Sequence, residues 1–310
     1  MRRCYPHHSQ CGAALIMALL VVALATVIAS SLIERQSFWL RQVETRRDLA
    51  QARLLATAGV DWARAVLTDD ARNSAYDHLG EPWATQVPPM PAEGGEIGGG
   101  LTDEQSKWNL NNLVRNGQHS QDDLTVFRHL LSELQLSPDL AAALVDWLDT
   151  DSEVTPDGAE DAFYLTLKPP YRSANRELGD VDGLLRVRGF DANIVGRLRP
   201  YVTALPGYNP VNINTADAIV LSAVLYDFPA SEIQQIIAER KRIPYIDIGD
   251  FRKRVSVPDL ASSPSTERLD TRSRYFSAAI HTRFGNAETA LTVLLDRQGG
   301  WPSTVWQKFE

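Results

Sequence analysis

The chain has 310 residues, of which 44% are hydrophobic and 23% charged, a composition typical of a folded protein with one or two domains. Its 39 acidic residues outnumber the 31 basic ones, and the net charge of −8 argues against a nucleic-acid-binding surface over the whole chain. Both cysteines, Cys4 and Cys11, precede the first apolar segment, which excludes a disulfide framework or a thiolate metal site in everything that follows.

The first predicted element is an uncharged apolar segment over residues 13–33. As a helix it is long enough to cross about 30 Å of hydrocarbon, and it exceeds the roughly 7–15 residues of a signal-peptide core. A signal peptide cleaved near residues 29–31 is the alternative. Arg2 and Arg3 precede the segment, so we expect the N-terminus in the cytoplasm and the chain from residue 34 onward outside.

The helical pattern continues beyond the apolar segment. Residues 34–67 contain no proline and a single glycine, Gly59, and their apolar residues recur at steps of three and four. Leu40, Leu49 and Val60 belong to this series. The sequence therefore predicts one helix of more than fifty residues, half of it in the membrane (13–33) and half outside (34–67).

Proline, glycine and alternating patterns divide the rest of the chain. Residues 82–100 are rich in proline and glycine, which predicts a loop or a sheet edge, and residues 101–113 fit a strand followed by a turn. Residues from 113 to about 260 are predicted to be mainly helical. Strand patterns return near the C-terminus, where Gly-Asn and Gly-Gly mark the breaks, at residues 274–284, 289–298 and 303–309.

These elements predict an α+β fold, a long N-terminal helix packed on a small antiparallel sheet. The sheet domain is discontinuous, formed by residues 68–112 and 261–310. A large, mainly helical insert, residues 113–260, interrupts it.

An acidic loop at residues 146–161 gathers oxygen ligands of the kind that Ca²⁺ prefers. The spacing begins like an EF-hand, but Val154 stands where that loop needs glycine, so an EF-hand is rejected. A solvated acidic turn is the alternative. The candidate ligands are Asp149, Asp151, Glu153, Asp157, Glu160 and Asp161, with Asn175 and Glu177 as weaker candidates to complete the shell.

Residues 212–251 resemble a helix-hairpin-helix unit, in which backbone N–H groups of a glycine-rich hairpin bind a DNA phosphate. Here the hairpin has no glycine and carries Asp227 and Glu232. Six acidic residues balance six basic ones over 211–257, so no positive field compensates. We expect a helical (SAM-like) scaffold without its phosphate site, with DNA binding as the alternative function.

No sequence motif of an enzyme is present. The chain lacks G-x-S-x-G, P-loop and H-E-x-x-H patterns, and its histidines are scattered. Asp146 and Asp149 are close enough in sequence to suggest a carboxylate pair, but two carboxylates on one loop are more typical of metal ligands or a solvated turn. We expect a protein that is not an enzyme.

The N-terminal segment resembles a type IV pilin or pseudopilin, with a short basic leader ending in glycine and an apolar helix that becomes amphipathic. The resemblance implies that a prepilin peptidase cuts between Gly12 and Ala13, so that residues 1–12 are a cytoplasmic leader. Most pilins carry glutamate as the fifth mature residue, where this chain has Met17. That absence resembles the K-type minor pseudopilins of type II secretion systems.

Further motifs resemble the K-type family over nearly the whole chain. They are NLNNL (109–113), DWLDTD (146–151), DGAEDAFY (157–164), PPYRSAN (169–175) and VNINTADA (211–218). The resemblance implies a pilin-like fold enlarged by the helical insert, and it favours structural calcium over a solvated turn at the acidic loop.

The resemblance also implies a function. Such a protein is a minor pseudopilin at the tip of the periplasmic pseudopilus, where it starts or caps assembly for protein export across the outer membrane. The implied partners are the I-, J- and H-type minor pseudopilins, the major pseudopilin and the prepilin peptidase, with the exported proteins as further candidates. We expect a single-pass protein of the inner membrane in a Gram-negative envelope, whose partner helices pack along Met17, Leu40, Leu49 and Val60.

Overall fold

The computed structural model describes residues 11–92, 94–255 and 264–310. Its helices are α1 Cys11–Asn73, α2 Gln121–Glu133, α3 Leu140–Leu148, α4 Asp161–Tyr164, α5 Ala192–Leu198, α6 Ala218–Val224, α7 Ala230–Arg242 and α8 Ile248–Arg254. Its strands are β1 Val87–Ala92, β2 Gly95–Asp103, β3 Trp108–Asn109, β4 Val114–Arg115, β5 Gln118–His119, β6 Val202–Thr203, β7 Val211–Asn212, β8 Leu269–Asp270, β9 Tyr275–Phe284, β10 Ala287–Asp296 and β11 Ser303–Phe309.

Helix α1 is a single helix of 63 residues, which confirms the predicted long helix. Among the described helices it is the one that is long and apolar enough to cross a membrane. Its apolar residues before Glu34 are exposed, whereas a later stretch is buried. The N-terminal half of α1 therefore projects from the folded part of the protein, as expected of a membrane anchor.

Helix α1 packs on one face of a five-stranded antiparallel sheet with the strand order β1-β2-β9-β10-β11. Ala52, Ala56 and Ala63 are at most 1% exposed, and their short side chains let the helix approach the strands closely. Thr282 in β9 also donates a hydrogen bond to the backbone carbonyl of Ala52 at 2.9 Å. The α1–sheet core comprises Ala56, Val60, Ala63, Leu67, Trp83, Leu101, Phe276, Ala278, Ile280, Leu291, Val293 and Leu295.

The C-terminal strands β9, β10 and β11 confirm the prediction. Of the two alternatives predicted for the proline- and glycine-rich segment, a loop or a sheet edge, the structure shows the sheet edge. The segment forms most of β1 and β2. A Cβ at Gly99, where φ is +152°, would lie 2.1 Å from the carbonyl oxygen of Ala279 in β9. The glycines are thus needed for a close approach between strands, and the prolines place β1 at the sheet edge, where fewer N–H donors are required.

A larger hydrophobic core holds helices α2 to α8 together, and we call these helices and their connections the helical body. The mainly helical character predicted for this region is confirmed by the secondary structure. Its largest fully buried side chains include Trp108, Phe127, Tyr164, Tyr245 and Phe251. The predicted upper boundary of the insert, near residue 260, lies outside the described residues.

Buried asparagines of the NLNNL motif organise the irregular connections of the helical body. The Asn109 side chain accepts from the N–H of Leu205 at 2.9 Å and donates to the carbonyl of Gly207 at 2.8 Å. The Asn111 side chain accepts from the N–H of Leu178 and donates to the carbonyl of Leu205, each at 2.9 Å. These side-chain amides form hydrogen bonds with buried backbone groups that have no partner within a helix or a strand.

A buried polar network joins the end of α1 to the sheet. The Arg297 guanidinium pairs with Asp70 at 2.8 Å and with Asp77 at 2.6 Å, and it donates to the carbonyl of Ser273 at 2.6 Å. Asp70, Asp77 and Glu81 bring carboxylate oxygens within 4.8 Å of one another, and Arg297 supplies the cation that compensates two of them. Burial, then the charges of Glu81 and Asp77, raise the pKa of Asp70 to about 7, against the opposing effect of Arg297.

Asp103, at the end of β2, extends this network into the helical body. Its Oδ2 atom accepts from Asn212 at 3.0 Å, Thr215 at 2.6 Å and Ser273 at 2.7 Å. Burial raises the pKa of Asp103 to about 6, although the hydrogen bonds from Thr215 and Ser273 lower it. The VNINTADA motif thus acts structurally, by tying the helical body to the sheet.

Candidate functional site

The predicted processing site lies at the start of α1. The helix begins at Cys11, so Gly12 and Ala13 belong to its first turn, and residues 1–10 of the predicted leader lie outside the described residues. Met17 is 70% exposed, on the projecting part of the helix. Cleavage between Gly12 and Ala13 stays a prediction.

The predicted helix seam is only partly available to a partner. Leu40 is 47% exposed and Leu49 is half-buried, but Val60 is 5% exposed and packs in the α1–sheet core. The prediction that Val60 faces a partner helix is wrong, because the sheet already covers that side of α1. The exposed apolar residues at this level are Leu54 and Trp62, which lie off the face that carries Ala52, Ala56 and Val60.

The acidic loop brings three of its predicted ligands together. Asp149 follows α3, and Asp149, Asp151 and Glu160 each place a carboxylate oxygen within 4.8 Å of the other two. Asp149 is 2% exposed and Glu160 is 3% exposed. Burial, then the charges of Asp151, Asp146 and Glu160, raise the pKa of Asp149 to about 7. A cation at this position would relieve the repulsion between these carboxylates.

Several oxygens at the acidic loop lack a hydrogen-bond partner within the described residues. They are Asp149 Oδ1, Glu160 Oε1 and Asn175 Oδ1, and all are buried. Asn175 is fixed near the loop because its Nδ2 atom donates to the backbone carbonyl of Asp151 at 2.8 Å. Buried acceptors without donors are costly unless a cation or water satisfies them, and oxygen acceptors are what Ca²⁺ requires. Asp149, Asp151, Glu160 and Asn175 therefore fit a hard cation.

The other predicted ligands lie outside this group. Glu153 and Asp157 are exposed, and Asp161 is engaged by the backbone N–H of Ser173 at 3.0 Å and by Arg172 at 3.7 Å. Glu177 instead accepts from the backbone N–H of Gly207 at 3.1 Å. Glu153, Asp157 and Asp161 come from the same acidic loop as the clustered carboxylates, but the backbone turns their side chains to solvent or to other partners.

Asp146 anchors the acidic loop, a role that the sequence reasoning did not assign to it. It is buried in α3, and its Oδ1 atom accepts from the Thr155 hydroxyl at 2.7 Å. A Cβ at Gly158 would lie 2.0 Å from Asp146 Oδ2, so this glycine gives the loop room to fold over α3. Because Asp146 is used in this way, the pair of Asp146 and Asp149 gives no support to carboxylate catalysis.

The helix-hairpin-helix-like region does not present a phosphate site. Glu232 lies in the first turn of α7, where a phosphate would need bare N–H groups. Arg240 is 9% exposed and donates to the backbone carbonyls of Ile213 and Ala216. Arg254 is paired with Asp250 at 3.1 Å. Two of the six basic residues of this region therefore stabilise the helical body, and the DNA-binding alternative is not favoured.

A membrane-length helix that continues onto one face of an antiparallel sheet defines a pilin-like subunit, here enlarged by the helical body. Two protein-family models, both described as type II secretion system (T2SS), protein K, match residues 106–207 and 211–272. The chain belongs to the type II secretion system protein K family. This confirms the expected K-type family, the α+β fold and the role in type II secretion. Members of the family are structural pseudopilins of the secretion system.

Curated relatives support the assignment over most of the chain. The type II secretion system protein K of Pseudomonas aeruginosa is 34% identical over 93% of this chain and 89% of the relative. The protein of the same name from Klebsiella pneumoniae is 33% identical over 98% of this chain and 97% of the relative.

A solved structure has the same fold. A chain in the crystal structure of the GspK-GspI-GspJ complex from the enterotoxigenic Escherichia coli type 2 secretion system matches with a TM-score of 0.75 and 26% identity. The match covers 87% of this chain and 99% of that chain.

Proposed function

We propose that this protein is the minor pseudopilin at the tip of the pseudopilus, where it starts or caps assembly for protein export across the outer membrane. The observation that supports this proposal is that one chain combines two parts. An exposed apolar helix is available for assembly, and the helical body lies at the opposite end of the protein from the start of that helix. The bulk of that body would prevent another subunit from stacking above it.

The residue at position 17 supports the tip position. A carboxylate within hydrocarbon is costly unless it is paired, and in pilins its partner is thought to be the terminal amine of the neighbouring subunit. Met17 is apolar, so this helix needs no such partner ahead of it. A subunit with nothing above it would have this property.

The proposed topology follows from the N-terminal segment. We propose that Gly12 and Ala13 are separated by a prepilin peptidase on the cytoplasmic side, and that residues 13–33 then hold the protein in the inner membrane. The folded part lies in the periplasm. Catalytic activity forms no part of this role, and energy for assembly comes from other proteins.

The proposed partners are the I- and J-type minor pseudopilins, supported by the similarity to the chain in the GspK-GspI-GspJ complex. The H-type minor pseudopilin, the major pseudopilin and exported proteins would contact the assembly around this tip. To test this, the full-length chain would be co-expressed with I- and J-type subunits and a prepilin peptidase, then purified in detergent. We expect a complex with one copy of each subunit, and purification of this chain alone would contradict the proposal.

We further propose structural calcium at Asp149, Asp151, Glu160 and Asn175. The support is the set of buried oxygen atoms that lack donors. Bound calcium would supply a fixed divalent charge, and the residues would hold the connection between α3 and α4 in place. In a chain without cysteine beyond residue 11, this would do the work that a disulfide does elsewhere.

A further inference from the structure

A stretch of α1 between the apolar segment and the sheet is not covered by the rest of the described protein. It comprises residues 34–47, which we call the bare stretch, and all of them except Ser37 are exposed. The sheet first meets the helix near Asp48, whose Oδ2 atom accepts from the N–H of Asn286 in the β9–β10 turn at 3.3 Å. The surroundings of the bare stretch must therefore come from outside the folded part.

Two large aromatic side chains lie in the bare stretch, near the apolar segment. Phe38 is 67% exposed and Trp39 is 61% exposed. As neighbours in a helix they lie about 100° apart around its axis, so together they cover more than one side of α1. An aromatic side chain has about 150–250 Å² of surface to bury, and an exposed apolar patch of this kind typically marks a contact.

The depth of the aromatic pair in a bilayer follows from the rise of the helix. Residues 13–33 are about 32 Å long at roughly 1.5 Å per residue, so they fill a hydrocarbon core of about 30 Å with little to spare. Trp39 lies six residues beyond Ile33, about 9 Å further along the helix. Helical side chains point back toward the N-terminus, which brings the ring nearer to the hydrocarbon. The headgroup layer is roughly 5–8 Å thick on each side, so the ring falls within it.

The charged residues of the bare stretch fit the same surroundings. The stretch contains four arginines and two glutamates, so it carries a net positive charge in an acidic protein. Arg35 and Arg41 flank the aromatic pair, and neither guanidinium is paired within the described residues. Such side chains reach headgroup phosphates while their stems stay on apolar surface, and tryptophan is enriched at membrane interfaces because its apolar ring carries a polar N–H.

We propose that Phe38 and Trp39, with Arg35 and Arg41, bind the phospholipid headgroups of the periplasmic leaflet as an interfacial anchor, an inference that rests on the proposed topology. Lipid is favoured over a protein partner because the pair directly continues the membrane segment and is flanked by free cations. Lipid contact then extends beyond residue 33. Nine residues separate Trp39 from Asp48, so the sheet stands about 14 Å beyond the anchor.

Fluorescence quenching by brominated phospholipids tests the anchor in the unmodified full-length chain, reconstituted alone in vesicles. The bromine atoms would be placed either near the headgroup end or near the terminal end of the acyl chains. With bromine near the headgroup we expect a loss of about one seventh of the emission, the share of one tryptophan in seven. With bromine near the chain end we expect a smaller loss. Trp39→Gln should remove the quenching by both lipids.

The matched control is Trp62→Gln, which removes another exposed tryptophan of the same helix. Trp62 lies 29 residues beyond Ile33, about 44 Å along the helix, so this variant should be quenched by the same amount as wild type. Both side chains are exposed, and unchanged unfolding temperatures would confirm that the variants fold.

The outcomes separate the anchor from the wider topology. If wild type floats with the vesicles but is not quenched, or is quenched more by bromine near the chain end, the interfacial anchor is wrong while the membrane span stands. Quenching that survives in Trp39→Gln would also overturn the proposal. If wild type does not float with the vesicles, the proposed topology and the anchor fail together.

Discussion

The α1–sheet unit and the helical body are stabilised in different ways. The former relies on periodic apolar packing, with small alanines of α1 against alternating residues of β9 and β10. The latter combines a large aromatic core with buried side-chain amides. Those of Asn109 and Asn111 form hydrogen bonds with backbone groups outside helices and strands. The first unit therefore leaves apolar surface of α1 exposed and available for assembly, whereas the aromatic core of the second is buried within the helical body.

The largest effect is expected at the junction between the end of α1 and the sheet. Replacing Arg297 with Met would leave Asp70 and Asp77 buried without their cation, and breaking a buried ion pair in this way costs about 3–5 kcal/mol. Denaturant unfolding of the full chain would measure the loss. The control is Arg283→Met, whose guanidinium pairs with Glu96 at 2.7 Å on the surface and whose removal should change little. Equal effects of the two variants would mean that the junction does not depend on this network.

A smaller loss is expected inside the helical body. Asn111→Ala would leave the N–H and the carbonyl of Leu178 without their side-chain partner, at a cost of about 2 kcal/mol. The control is Asn193→Ala on the exposed side of α5. Unfolding in denaturant should separate these two variants. A near-neutral Asn111→Ala would show that water replaces the amide, and that the body depends on its aromatic core alone.

The helical body is also where calcium should act. Calcium at about 100 times its Kd should stabilise wild type by about 2.7 kcal/mol, and Asp149→Asn should abolish most of that gain. Asp157→Asn is the control, because Asp157 is exposed and its backbone, at φ +69°, is one that asparagine tolerates. Melting temperatures with calcium and with chelator would measure both. A wild-type protein that melts at one temperature under both conditions would exclude a structural calcium ion.

The smallest expected effect is a pH dependence at the junction. The pKa of Asp70 is raised to about 7 in the folded protein, above its value of about 4 in an unfolded chain. Its contribution to stability is therefore fully present below about pH 4 and is lost as the pH rises through about 7. At saturating calcium, the stability of wild type relative to Asp70→Asn should fall between pH 5 and pH 8.

The neighbouring Asp69 provides the control for this titration. Asp69 is exposed on α1, so Asp69→Asn should keep the wild-type pH dependence. An Asp70→Asn variant with the same pH slope as wild type would locate the titration elsewhere in the network, with Asp103 as the next candidate, because its pKa is raised to about 6.

Elements with a strong local pattern could be predicted from the sequence. The length of α1 follows from an apolar segment and a proline-free helical continuation, and β9 to β11 follow from alternation between glycine breaks. The strand at 95–103 could not be predicted in this way, since its glycines are explained by the approach of β9, which lies some 180 residues further along the chain.

For the candidate sites, too, local sequence patterns predicted some residues correctly and could not place others. Acidic spacing predicted Asp149, Asp151 and Glu160, but not that Glu153 and Asp157 would turn to solvent. Val60 was misplaced because helical periodicity gives the spacing of an apolar face but not which face meets the sheet. Once Ala52, Ala56 and Ala63 are recognised as the close-packed face, Trp62 falls outside it. The two carboxylate partners of Arg297, Asp70 and Asp77, are more than 200 residues away in sequence, so no local pattern reveals them.

The central claim is that α1 is a pseudopilin helix released by processing for assembly. The intact mass of the full-length protein, expressed with and without a prepilin peptidase, tests it most directly. We predict that residues 1–12 are lost only when the peptidase is present, which leaves Ala13 as the new N-terminus. A chain that stays uncut with the peptidase, or that is cut near residues 29–31, would contradict this account.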